Sequence, residues 1–160
     1  MELQSLLKAI AGVLAAWGLL LLTILIHETG HMLGYVLCDR EKAVPWRLEV
    51  GSGRQLLKIG RLRIRLIPFG GLFWLDDLSE LPWKTAFCMT AGGPVASLLT
   101  AALLLAFGGS VFSDSLCRWL FYCNLSQFIG TAIPLSYPSW MSSIPESDGK
   151  RLLRLLKGPR

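Results

Sequence analysis

The apolar stretch Ala9–Ile26 (AIAGVLAAWGLLLLTILI) leads without a break into His27-Glu28-Thr29-Gly30-His31. As a helix, its eighteen uncharged residues cover about 27 Å, close to the hydrocarbon thickness of a membrane. We therefore predict one long helix over about residues 6–37, with the histidines towards the far end of a membrane span. Ionisable groups at that depth are costly, so we expect them to serve a function.

His27 and His31 are the only two histidines of the chain. Positions i and i+4 lie on one face of a helix, so both imidazoles can bind one metal ion. Glu28 lies beside them and is placed to take a proton from a water that this ion activates. The pattern predicts a hydrolytic metal centre with two histidine ligands and Glu28 as the catalytic base.

The composition is that of an integral membrane protein with a single domain. Of its 160 residues, 52% are hydrophobic and 17% are charged, and the mean hydropathy is +0.50. The net charge of +5 does not indicate nucleic acid, because the basic residues cluster beside apolar spans. The four cysteines form no C-x-x-C pair, so we predict neither a disulfide framework nor a zinc knuckle.

Two further apolar stretches predict membrane spans over residues 86–107 and 116–134. Between the first two spans, residues 46–71 read as a β-hairpin, because polar and apolar residues alternate strictly from Arg61 to Leu66. We expect the hairpin to end at Pro68, Gly70 and Gly71. It either lies on acidic lipid headgroups or offers a free edge to an extended peptide. The predicted fold is an all-α membrane protein with three spans and one hairpin.

The basic residues predict the orientation in the membrane. The loop 39–84 has nine lysines and arginines and the tail from residue 150 has five, whereas the first eight residues have one and the loop 108–115 has none. Positive residues favour the cytoplasmic side, so the N-terminus is expected outside and the loop and tail inside. We expect an integral protein of a prokaryotic cell membrane, with the active site near the cytoplasmic face.

A catalytic zinc site usually has three protein ligands, and no third histidine exists. Asp148 lies on the correct side of the membrane after a helix break, and Gly149 lets the backbone approach closely. Asp148 can alternatively cap the helix of the basic tail. The other candidate ligands are Cys38 and the acidic cluster Asp76, Asp77 and Glu80.

Four motifs in this order resemble the site-2 protease family of intramembrane zinc metalloproteases. They are His27-Glu28-Thr29-Gly30-His31, Ile67-Pro68-Phe69-Gly70-Gly71, Ala91-Gly92-Gly93-Pro94 and Ser147-Asp148-Gly149. The resemblance extends from about Leu20 to Leu156. It implies a three-span core with one zinc ion per chain on His27, His31 and Asp148, and with Glu28 as the base. We expect this core without a PDZ-like or nucleotide-sensing domain.

The resemblance also implies how substrate is held, because the hairpin of this family engages substrate as an added strand. The implied substrate-binding positions are Gly70, Gly71, Gly93, Pro94, Ser97 and Thr131. Ser97 and Thr131 stand where the family usually has asparagines. The stretch from Pro134 to Asp148 is also longer than in many members.

The predicted function is a zinc-dependent endopeptidase that cleaves a membrane-spanning or membrane-adjacent segment, with a single-span membrane protein as its substrate. The alternative is a relative that binds a membrane partner through the same groove without cutting it. The changes at Ser97 and Thr131 favour that alternative, whereas an intact Glu28 counts against it. A metal transporter is disfavoured, because so few polar residues make a poor permeation path.

Overall fold

The computed structural model of the chain describes residues 2–39, 44–76, 81–138 and 146–158. A long helix comes first, then a two-stranded hairpin, two further helices and a short final helix. These elements are α1 Leu3–Cys38, β1 Trp46–Ile59, β2 Leu62–Leu75, α2 Trp83–Val111, α3 Asp114–Ala132 and α4 Asp148–Leu156. The predicted helices and the hairpin are present, with ends shifted by a few residues.

Helices α1 and α2, with 36 and 29 residues, are each long and apolar enough to cross a membrane. Only 17% and 22% of their most apolar windows are buried, so these helices present apolar surface outward, as lipid-facing helices do. Helix α3 forms where the sequence predicted a third span. It carries Asp114 and Arg118 as well as several polar side chains. Of the three predicted spans, two meet the criteria of length and hydropathy among the described helices.

Glycines bring α1 and α2 into close contact. A β carbon at Gly30 would overlap the carbonyl oxygen of Gly92, and one at Gly34 would overlap that of Cys88. Small residues at such a crossing let two membrane helices approach backbone to backbone. The small residues of the second span are therefore explained by packing against the helix that carries the histidines.

The hairpin is folded back on itself, because one part of β1 pairs with two separate parts of β2. Val50 pairs with Gly71 across the antiparallel ladder, and Leu48 pairs with Phe73. The same part of β1 also pairs with residues 62–64 near the turn. The start of β1 therefore lies between the two ends of β2.

The predicted end of the hairpin at Pro68, Gly70 and Gly71 is wrong, because β2 continues to Leu75. Gly70 has φ of +69°, a conformation that glycine adopts at little cost. The strand therefore bends at this point and resumes its pairing. The turn-forming residues indicate a bend within the strand and not its end.

One face of the sheet packs against α1. Its buried cluster consists of Leu21, Ile24, Leu48 and Val50. Nearer the start of the helix, the indole N–H of Trp17 donates to the carbonyl oxygen of Leu66 at 2.7 Å. These contacts hold the hairpin along the helix that carries the histidines.

The opposite face of the sheet carries charge. Arg65 donates to the Glu49 carboxylate at 2.6 Å, and Arg63 lies 3.4 Å from the same group. Only 12% of the Glu49 side chain is exposed, so the pair is less screened than one in open solvent. The basic residues of the hairpin are thus partly neutralised within the sheet.

A disulfide joins Cys38, at the end of α1, to Cys88 in α2. The expectation that the cysteines form no disulfide is therefore wrong for this pair. The two residues are far apart in sequence, and the packing of α1 on α2 brings them together. Cys117 and Cys123 are free thiols.

Candidate metal centre

Three potential metal ligands meet where α1 faces the start of α4. His27 and His31 lie one turn apart on α1, and their Nε2 atoms are 3.2 Å from each other. The Oδ2 atom of Asp148 lies 3.4 Å from each of these nitrogens. All three residues are buried, and they form the one group of this kind in the described part of the chain.

The spacing of this triangle suits a tetrahedral metal ion. Zinc with bonds of about 2.0–2.1 Å to nitrogen and oxygen places the ligand atoms of a tetrahedron about 3.3–3.4 Å apart. The observed sides of 3.2, 3.4 and 3.4 Å match that spacing. Two imidazoles and one carboxylate also form a ligand set found in catalytic zinc sites.

The other ring nitrogen of each histidine has a partner. Nδ1 of His31 lies 2.8 Å from the carbonyl oxygen of Met89, and Nδ1 of His27 lies 2.9 Å from the hydroxyl of Ser97. A carbonyl only accepts, so His31 carries its proton on Nδ1 and directs the Nε2 lone pair into the triangle. Such partners fix the ring orientation that metal binding requires.

Helix α2 closes the side of the site behind the histidines. A β carbon at Gly93 would overlap Nε2 of His31 and lie 2.7 Å from Nε2 of His27. Gly93 and Pro94 are both buried. No residue larger than glycine fits at position 93 without displacing the two imidazoles.

Asp148 is fixed by the residues on both sides of it. The N-cap of α4 is Ser147, whose hydroxyl accepts from the Lys150 backbone N–H at 3.2 Å. Gly149 packs so closely on the end of α3 that a β carbon would overlap the carbonyl oxygen of Ala132. The capping role considered for Asp148 therefore belongs to its neighbour, and the aspartate side chain points to the histidines.

The surroundings of Asp148 favour the ionised form of its carboxyl. Its burial would raise its pKa, but the imidazoles of His27 and His31 beside it lower that pKa below its usual range. An ionised carboxylate is the form that binds a cation. Among the alternative ligands, Cys38 is in the disulfide and Asp76 faces Arg47. Asp77 and Glu80 lie outside the described residues.

Glu28 lies beside the triangle without belonging to it. It is only 5% exposed. A β carbon at Gly71 would lie 2.6 Å from Cγ and 2.7 Å from Oε1 of Glu28, so the backbone of β2 passes directly against the carboxylate. Glu28 shares one pocket with both histidines and with Asp148, which is the position a general base needs.

The pocket has a volume of about 370 Å³. One side holds the triangle and Glu28, and the other is formed by the end of β2, by α3 and by the start of α4. Lining residues on that other side include Gly70, Gly71, Phe73, Gln127, Thr131 and Arg151. The size is in the range of sites that hold small ligands or a short segment of chain.

The predicted substrate-binding residues divide into two groups. Gly70, Gly71 and Thr131 line the pocket. Gly93, Pro94 and Ser97 instead lie buried behind the histidines. Ser97 is fully buried and contacts the metal site through His27.

Sequence reasoning missed three contributors to the site. Met89 acts through its carbonyl oxygen, which no side-chain pattern signals. Ser147 caps α4 directly before Asp148, and its type and position are typical of an N-cap. Gln127 lies one helical turn before Thr131 within a polar streak of α3, so the helical period could have found it.

Comparison with protein families gives a match over most of the chain. The model of peptidase family M50 matches residues 15–154. This range contains the triangle, Glu28 and the whole pocket. No curated protein matches the chain.

Proposed function

The chain belongs to peptidase family M50, the site-2 protease family of membrane metalloproteases, and we propose that it is a zinc-dependent endopeptidase that cleaves a single-span membrane protein. The observation that carries this proposal is the triangle of His27, His31 and Asp148 with Glu28 in the same pocket. The three residues would hold one zinc ion per chain. When bound, zinc activates a water for attack and polarises the scissile carbonyl.

Glu28 is the general base of the proposed reaction. Its carboxylate accepts a proton from the attacking water and delivers it to the nitrogen of the leaving group. Burial of Glu28 against the backbone of Gly71 holds the carboxylate in one place. Proton transfer by a group fixed in this way needs little rearrangement.

Substrate enters as an extended segment. A membrane helix hides its carbonyl groups in its own hydrogen bonds, so the segment must unwind before it is cut. The last part of β2 pairs with β1 on one side and lines the pocket, so its free edge receives the unwound strand. Gly70 and Gly71 let the substrate backbone approach, and Thr131 contacts it from α3.

The arrangement in the membrane follows from the charges. We assign α3 as a third span beside α1 and α2, with the N-terminus outside and the metal centre near the cytoplasmic face. The protein is then an integral component of a prokaryotic cell membrane, and its substrate reaches the pocket from within the bilayer.

A relative that binds a membrane partner without cleaving it is the second candidate. One observation favours it: both hydroxyls at the altered positions are engaged elsewhere. Ser97 bonds to His27, and the Thr131 hydroxyl donates to the carbonyl oxygen of Gln127 at 2.9 Å. The hydrogen of Thr131 is therefore already donated, and Ser97 is fully buried against the His27 imidazole. Neither hydroxyl is placed to stabilise a reacting carbonyl.

The test compares the wild type with Glu28→Gln in lipid vesicles. A panel of single-span proteins is incubated with each, with zinc or with a chelator, and fragments are identified by mass spectrometry. We expect the wild type to cleave a substrate with zinc and not with the chelator. The variant should cleave at least about a hundredfold more slowly and should retain one zinc per chain. Normal cleavage by the variant would contradict the mechanism, and zinc binding without any cleavage by the wild type would support the second candidate.

A further inference from the structure

Helix α3 contributes a glutamine to the pocket lining, and the oxygen of its amide has no hydrogen-bond donor among the described residues. Gln127 lines the same pocket as the residues of the metal triangle. Its Oε1 atom is buried and accepts no hydrogen bond from any residue that the structure describes. A buried carbonyl oxygen without a donor destabilises a folded protein, so such an atom beside a pocket calls for an explanation.

We propose that Gln127 is a substrate-binding residue that pairs with a peptide group of the bound segment. This inference rests on the proposed binding of an extended segment in the pocket. A primary amide has one acceptor and two N–H donors. It can therefore accept from a peptide N–H and donate to a peptide carbonyl at the same time.

The geometry of an extended strand gives Gln127 its partner. A strand presents peptide groups along both of its edges. If one edge pairs with the end of β2, the other edge faces away from the sheet, where α3 forms part of the pocket lining. The terminal torsion of a glutamine side chain has a broad energy minimum. The amide therefore turns towards such a group while the other side-chain torsions stay in their rotamers.

Thr131 does not fill this role as a donor. Its hydroxyl donates to the carbonyl oxygens of Gln127 and Phe128 in its own helix. Gln127 lies one turn earlier on α3, has a longer side chain and lines the same pocket. The hydrogen bonds that the family resemblance assigns to position 131 are therefore provided from position 127 in this chain.

The experiment measures binding without cleavage, in a Glu28→Gln background loaded with zinc. The probe is a membrane-spanning Leu/Ala peptide with a central Gly-Asn-Gly break. In a second set of probes, each peptide carries one N-methyl group, at a different central peptide nitrogen. Energy transfer between a donor on the enzyme and an acceptor on the probe gives the affinity in lipid vesicles.

Gln127→Met keeps the length of the side chain and removes the amide. We expect this variant to bind the probe about tenfold more weakly, as the loss of two amide hydrogen bonds predicts. N-methylation of the probe at one position should weaken its binding by about fivefold to the protein that keeps Gln127. The same methyl group should leave binding to Gln127→Met unchanged. That coupling identifies the peptide N–H that Gln127 binds.

The matched control is Asn124→Leu. Asn124 lies on the same helix and also has a buried oxygen without a described donor, but it does not line the pocket. It should retain the affinity and the response to N-methylation. Three outcomes would each overturn the proposal. N-methylation could weaken binding equally in the protein with Gln127 and in the methionine variant, Gln127→Met could bind the probe with unchanged affinity, or the probe could fail to bind. If the expected coupling between Gln127 and the N-methyl group is found but the wild type cleaves nothing, only the endopeptidase function is refuted.

Discussion

The two sides of the pocket treat their polar groups differently. On the metal side, formed by α1 and α2, each histidine has a partner for its second nitrogen, and Glu28 is pressed against β2. The other side, formed by the end of β2 and by α3, is the one we propose binds substrate, and we call it the substrate side. There Gln127 has an oxygen without a described donor. The metal side is complete without substrate, and the substrate side is not.

This difference follows from what each side must do. A metal site depends on ligands that are held in place before the ion arrives, which their hydrogen-bond partners achieve. A substrate site needs groups that are free to bind, and buried polar groups are rarely left free otherwise. Within the pocket, the unpaired oxygen of Gln127 therefore distinguishes this residue from the paired histidines.

The largest effect is expected from Asp148→Ala, which removes one corner of the triangle. Zinc affinity should fall by well over about a hundredfold, more than the loss of a supporting hydrogen bond produces. Metal analysis of the purified protein against a competing chelator measures this. Asp76→Ala removes a carboxylate outside the pocket and should keep its zinc. Unchanged zinc in Asp148→Ala would show that the third ligand lies elsewhere.

Gly71→Ala adds a methyl group where the two sides of the pocket meet. The added carbon would lie 2.6 Å from Cγ of Glu28, so the base is displaced while the triangle remains. We expect kcat to fall by about a hundredfold at unchanged zinc content. Gly12→Ala is the control, because a β carbon there meets nothing within 4 Å. Loss of zinc together with activity would mean that β2 also supports the metal.

Ser97→Ala removes the hydroxyl that faces Nδ1 of His27 at 2.9 Å. Zinc affinity should fall by about tenfold, because the imidazole loses the group that orients it. Thr100→Ala removes a hydroxyl from the same helix that bonds only to the backbone of Ala96, and it should have no such effect. A change in KM with unchanged zinc affinity would place Ser97 on the substrate side instead.

Thr131→Val should have the smallest effect, a change in kcat/KM of less than about threefold. Its hydroxyl donates to the backbone of its own helix, and valine keeps the shape of the side chain. Cleavage kinetics on one substrate, compared directly with Gln127→Met, provide the measurement. A loss at Thr131 as large as that at Gln127 would remove the distinction between paired and unpaired groups on α3.

The sequence predicts most of the fold and the residues of the metal triangle. The shared face of His27 and His31 follows from the helical period. The position of Asp148 after the last predicted span favours it as the third ligand but leaves a capping role open. The continuation of β2 to Leu75 does not follow from the sequence, because turn residues alone cannot distinguish a bend from an end. The Cys38–Cys88 disulfide and the bond from Ser97 to His27 depend on how α1 and α2 pack, which chain spacing does not encode.

The metal ligands lie on the first helix and the last, more than a hundred residues apart. A chain emerging from the ribosome presents α1 to the membrane before Asp148 has been translated. During most of translation His27 and His31 offer only two ligands, and the wall supplied by α3 is missing. The metal site is therefore complete only late in biosynthesis.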